Sequence, residues 1–135
     1  MRSPSFRRGQ GGWTLIEMVV VISMIVLLAG IAMANYRNAV TRTREAVLKE
    51  NLFQLRDSID QYYADKGKYP ATLESLVTDG YLRAIPEDPF TSSAETWQVV
   101  PTEPDPSNPA SEPGVFDVKS GSDRTSMDGK PYAEW

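Results

Sequence analysis

From Trp13 to Ala34 the chain is apolar apart from Thr14, Glu17 and Ser23. As a helix this stretch rises about 33 Å, against a hydrocarbon core of about 30 Å, so it predicts a membrane-spanning segment. The pattern then changes. Tyr36 to Lys66 holds no Gly or Pro, and Val40, Val47, Leu48, Leu52, Leu55, Ile59 and Tyr62 recur at spacings of mostly three, four and seven. That is one face of an amphipathic helix, with Arg42, Arg44, Lys49, Glu50, Arg56 and Asp57 falling largely elsewhere. Trp13 to Asp65 is therefore expected to form one helix of about 80 Å. Gly30 is its weak point and its candidate hinge.

After the helix the punctuation is dense. Gly67-Lys68-Tyr69-Pro70 terminates it. Thr72 is placed to cap a short second helix from Leu73 to Thr78 or Asp79, with Gly80 at its end and Leu73, Leu76 and Val77 on its apolar face. Tyr81 to Pro86 reads as extended, and Asp88-Pro89-Phe90 as the start of a turn. Trp97–Val100 and Val115–Val118 read as paired antiparallel strands. Between them, residues 101–114 carry Pro at 101, 104, 106, 109 and 113 with Glu103, Asp105 and Glu112, which predicts a solvated loop of polyproline character. The expected fold is α+β. One long N-terminal helix, half membrane and half amphipathic, packs on a small head with a short second helix and a small antiparallel sheet.

Composition narrows the function. The chain of 135 residues has no Cys and no His. Disulfides, thiolate and Ser-His-Asp chemistry and the commonest transition-metal ligand are excluded. Asp57/Asp60 and Glu87/Asp88 are carboxylate pairs, but they fall on a solvated helix face and in a Pro-flanked turn, so a non-enzyme is expected. Net charge is −4, which argues against nucleic acid as a partner. The charge is segregated: residues 1–12 carry Arg2, Arg7 and Arg8 and no acid, leaving 11 basic against 18 acidic residues in the remainder. A basic start before an apolar span orients the N-terminus to the cytosol, although Arg37, Arg42 and Arg44 on the far side weaken the asymmetry. Ala29-Gly30-Ile31-Ala32 imitates a signal-peptide cleavage site, and that reading stays open.

Glu17 does not suit a passive anchor. A carboxylate at the centre of a membrane helix costs roughly 2.5 to 3.5 kcal/mol on insertion scales, and less near the interface. Either it sits solvated at headgroup depth or it meets a cation. No Lys, Arg or His lies within one turn, so that cation would come from another chain or from a new N-terminus.

Gly11-Gly12-Trp13-Thr14-Leu15-Ile16-Glu17 resembles the class III signal of type IV pilins and pseudopilins. The wider layout resembles the major pseudopilins of type II secretion systems: Tyr69-Pro70, Leu73, Leu76, Gly80-Tyr81-Leu82, Ile85-Pro86, Asp88-Pro89, a Trp strand, then Phe116-Asp117-Val118 and Ser120-Gly121-Ser122-Asp123. The resemblance implies a pilin-like fold, with 1–12 a leader, 13–35 the transmembrane and filament-core helix, 36–66 its amphipathic continuation and 67–135 the head. It implies cleavage after Gly12 by a prepilin peptidase and N-methylation of Trp13, where the family usually has Phe. Glu17 would then meet the new amine of a neighbouring subunit during assembly. The implied partners are copies of the same chain, minor pseudopilins and an inner-membrane assembly platform. The implied location is the bacterial inner membrane, single-pass, with a periplasmic head. The expected function is a pseudopilus subunit that aids export of folded proteins. A type IV pilin of an extracellular fibre and a non-polymerising membrane-anchored binding module are the alternatives.

The run from Lys119 to Trp135 is too polar to bury itself. Major pseudopilins bind calcium in the corresponding loop, and the resemblance places Asp123, Asp128, Ser120 and the carbonyl of Val118 as candidate ligands for six to eight oxygens. Here the family's second Asp is missing, since Gly129-Lys130 follows Asp128. A Gly/Ser/Asp turn with no ion is the other reading. A head of about 70 residues often needs a staple, be it metal or neighbouring subunits. Tyr132 and Trp135 are expected to fold back onto the head.

Overall fold

The computed structural model describes residues 12–103, 106–107 and 112–135. Most of the leader, residues 1–11, and residues 104–105 and 108–111 of the Pro-rich loop lie outside the described residues. The elements run α1 (Leu15–Lys66), α2 (Leu73–Thr78), β1 (Gln98–Pro101), β2 (Val115–Lys119) and a 3-10 turn (Tyr132–Glu134). The chain divides into two compact units between Asn38 and Ala39.

In the first unit the side chains from Gly12 to Asn38 are all exposed. This part of α1 is long and apolar enough to cross a membrane, and none of it is buried. Its start is capped: Thr14 Oγ1 accepts the Glu17 N–H at 3.2 Å, and the Thr14 carbonyl accepts that of Met18 at 3.1 Å. Ser23 donates to the Val19 carbonyl at 2.7 Å, which keeps its hydroxyl satisfied within an apolar run. Gly30 lies inside the unbroken helix, with nothing within 4 Å of where a Cβ would stand.

In the second unit Leu48, Leu52, Leu55, Ile59 and Tyr62 form the buried stripe of α1. They pack with Leu73 and Leu76 of α2, with Leu82 and Trp97, and with Val115 and Val118 of β2. Val47 is exposed and Val40 only half-buried, so the working stripe starts at Leu48. Gly67 stops α1 at φ +66°, and its N–H bonds the Tyr63 carbonyl at 2.8 Å. Thr72 occupies the N-cap of α2, but its hydroxyl faces Ser75 Oγ at 3.3 Å and makes no cap bond; its carbonyl accepts the Ser75 N–H instead.

The sheet has two antiparallel strands, with Gln98 opposite Lys119, Val99 opposite Val118 and Val100 opposite Asp117. The register slips at Pro101, which has no N–H to give the ladder. Trp97 was expected in the strand but belongs to the core: its ring is buried and its indole N–H donates to the Pro86 carbonyl at 2.7 Å. The turn after Asp88 closes by main-chain bonds from Asp88 N–H to the Ser93 carbonyl and from Ser92 N–H to the Asp88 carbonyl.

Candidate functional site

Two places in the chain carry candidate function, and they differ in kind. The first is the start of α1. Thr14-Leu15-Ile16-Glu17 has the Ser/Thr-x-x-Glu/Gln spacing of a capping box. Thr14 closes one free N–H of the first turn, and the Glu17 carboxylate sits where the helix dipole favours an anion. Trp13 is exposed immediately before the cap and Gly12 precedes it, also exposed. Glu17 is exposed as well, and among the described residues no salt bridge reaches it.

The second is a clasp between α1 and residues 117–135. Glu45 Oε1 accepts the Met127 N–H at 2.8 Å and the Tyr132 hydroxyl at 2.9 Å. The Lys49 ammonium lies 4.6 Å from the centre of the Trp135 ring. Arg56 binds three partners: Asp117 Oδ1 at 2.7 Å, the Val118 carbonyl at 3.0 Å and the main-chain oxygen of Trp135 at 2.9 Å. Glu45, Lys49 and Arg56 are four and seven residues apart, which puts them on one helix face beside the buried stripe. Across from them Tyr132 is buried, stacked on Phe90 at 4.0 Å and edge-on to Trp135 at 5.1 Å. Burial, and then the Glu45 carboxylate at its hydroxyl, push the Tyr132 phenol up to about 12.

A further tie lies under the loop. Asp88 and Ser120 are both fully buried, and the Ser120 hydroxyl donates to Asp88 Oδ2 at 2.5 Å. Asp88 Oδ1 accepts the Phe90 N–H at 2.9 Å, so both carboxylate oxygens have partners. Gly121 follows Ser120 against the chain at Thr96; a Cβ on it would stand 1.8 Å from the Thr96 carbonyl oxygen.

The candidate calcium ligands are not presented as a set. The Val118 carbonyl is taken by Arg56, and the Ser120 hydroxyl by Asp88. Asp123 and Asp128 are exposed. Among the described residues no three His, Cys, Asp or Glu side chains group as a metal site. Two of the four candidate oxygens are thus already engaged by other side chains. Sequence reasoning missed Glu45, Arg56 and Asp88. The first two were legible as a polar line of helical spacing bordering the apolar one, whereas Asp88 read only as a turn residue because Pro89 follows it.

No protein-family model matches the chain, and no solved structure matches it. Named proteins do. The type II secretion system core protein G of Pseudomonas aeruginosa is 31% identical over 100 residues, covering 62% of this chain and 70% of that protein. The chain belongs to the core protein G family. The core protein G of Klebsiella michiganensis is 29% identical over the same shares of the two chains. The fimbrial protein EcpC of Eikenella corrodens is 37% identical over 62 residues, 40% of its length. The core protein G fold here is one long N-terminal helix, a short second helix and a two-stranded antiparallel sheet.

Proposed function

We propose that the protein is a structural subunit of a type II secretion pseudopilus, cut after Gly12 and polymerised through α1. Its relationship to core protein G of Pseudomonas aeruginosa carries this reading. The bare apolar half of α1 supports it, since so large an exposed apolar surface calls for lipid or sister helices. In this scheme the chain spans the bacterial inner membrane once, with its head in the periplasm. A prepilin peptidase removes the leader on the cytosolic side, and Trp13 becomes the methylated first residue. Minor pseudopilins and the assembly platform are its further partners, and filament growth helps to push folded cargo outward. The role is structural, not catalytic.

The electrostatics give the cut a purpose. A free amine at Trp13 stands beside the helix N-terminus, where the dipole disfavours a cation. Glu17, one turn on, offsets that charge on its own chain or on a neighbour's. In a dry helix bundle the pair is far better off than either charge alone. N-terminal mass analysis of the protein from its native membrane should find chains starting at methylated Trp13. Glu17→Ala should leave that cut intact while filament yield falls. Mature protein that keeps residues 1–12 and never cross-links into multimers would overturn the reading. An extracellular fibre is the weaker reading, because the fimbrial relative is matched over less than half of either chain.

A further inference from the structure

We infer that this head closes its C-terminal loop with side chains in place of a metal ion, and so folds without calcium. The inference rests on where the loop's polar atoms already point, and it stands whether or not the pseudopilus reading does.

Four observations carry it. First, the Val118 carbonyl lies against the Arg56 guanidinium, which is fixed there by Asp117 and by the Trp135 main chain. A divalent cation sharing that carbonyl would sit beside the Arg56 guanidinium, and that like charge disfavours it. Second, Ser120 Oγ gives its proton to Asp88 and accepts the Ser122 N–H at 3.2 Å. With its proton on Asp88 and one lone pair on Ser122, this fully buried oxygen has a single acceptor position left. Third, the turn at 126–130 satisfies itself: Ser126 N–H bonds the Lys130 carbonyl, Gly129 N–H the Ser126 carbonyl and Lys130 N–H the Ser126 hydroxyl. Asp128 is left at its exposed tip. Fourth, Glu45 holds the two ends of the stretch from Met127 to Tyr132 through one oxygen. Among the described residues no buried side-chain N or O lacks a partner. Calcium normally supplies the charge that gathers such a loop. Here Arg56 gathers it from the helix side, and Asp88 from below.

The test uses the full chain in detergent, following thermal unfolding by near-ultraviolet circular dichroism and by resistance to trypsin. A chelator and millimolar calcium chloride should give the same midpoint, and calorimetric titration with calcium should give no saturable heat. Arg56→Ala should lower the midpoint by at least about 5 °C, and added calcium should not restore it. If that variant fails to fold, Arg56→Lys keeps the charge but loses the fork, and should show a smaller loss of the same kind. Asp128→Asn should change nothing in either condition. A midpoint that drops on chelation, or a stoichiometric calcium site abolished by Asp123→Asn or Asp128→Asn, overturns the inference.

Discussion

The two halves of α1 handle apolar side chains in opposite ways. Leu27 and Leu28 are 69% and 66% exposed, whereas Leu48 and Leu55 are fully buried. The first half is apolar nearly all round and is covered by none of the described residues. The second half is apolar on one stripe and finds α2, β2 and Trp97. An unbroken apolar run states that the partner is outside the chain, while a stripe states that it is inside. One helix thus carries two kinds of apolar surface, one covered by folding and the other left bare among the described residues.

Truncating one leucine in each half gives the widest separation. Leu55→Ala opens a cavity in the buried stripe and should cost the head about 2–5 kcal/mol. Leu28→Ala removes the same atoms from a side chain that touches no core, and the head's unfolding midpoint should not move. Near-ultraviolet circular dichroism during denaturant unfolding of the full chain in detergent reads both. If Leu28→Ala lowered the midpoint as much as Leu55→Ala, the two halves would not be distinct.

The contrast also explains what the sequence made legible. The span, the stripe from Leu48 to Tyr62, the stop at Gly67 and the extent of α2 follow from periodicity and from turn residues, which are local signals. Spacing alone does not tell a flank position such as Val47 from a core one. β-Propensity points Trp97 into a strand, whereas its indole N–H meets the Pro86 carbonyl from the core. The start of α1 was readable as a motif, though the capping role of Thr14 came only with the helix in view. The clasp was the least legible part. Arg56 meets Asp117 and Trp135 across 61 and 79 residues, and no local pattern encodes a meeting at that separation.

Two glycines sharpen the comparison with effects of opposite sign. Gly121→Ala forces the loop off the Thr96 carbonyl and should destabilise the head by about 1–3 kcal/mol, the range for overpacking. Gly30→Ala meets nothing and removes a poor helix former, worth about 1 kcal/mol of helix propensity in the bare half. Thermal scans should show the first variant melting earlier and the second unchanged in the head. A Gly121→Ala protein with a normal midpoint would mean that the loop does not lie against Thr96.

The smallest effect comes from pH and reads the clasp alone. Folding raises the Tyr132 phenol from about 10 to about 12, through burial first and the Glu45 carboxylate second, with Arg124 opposing. A raised acid prefers its protonated form in the fold. Its contribution is therefore complete below pH 10, declines as the unfolded chain ionises above that, and is gone once pH passes through about 12. Tyr132→Phe keeps the ring against Phe90 and Trp135 but has no proton to lose. Stability of the two proteins should run parallel up to about pH 10, with the native protein falling toward the variant above it. Other groups titrate in that window, but they are common to both chains and cancel in the difference. A difference that stays flat from pH 9 to 12 would detach the phenol from Glu45, leaving Met127 as that carboxylate's contact in the loop.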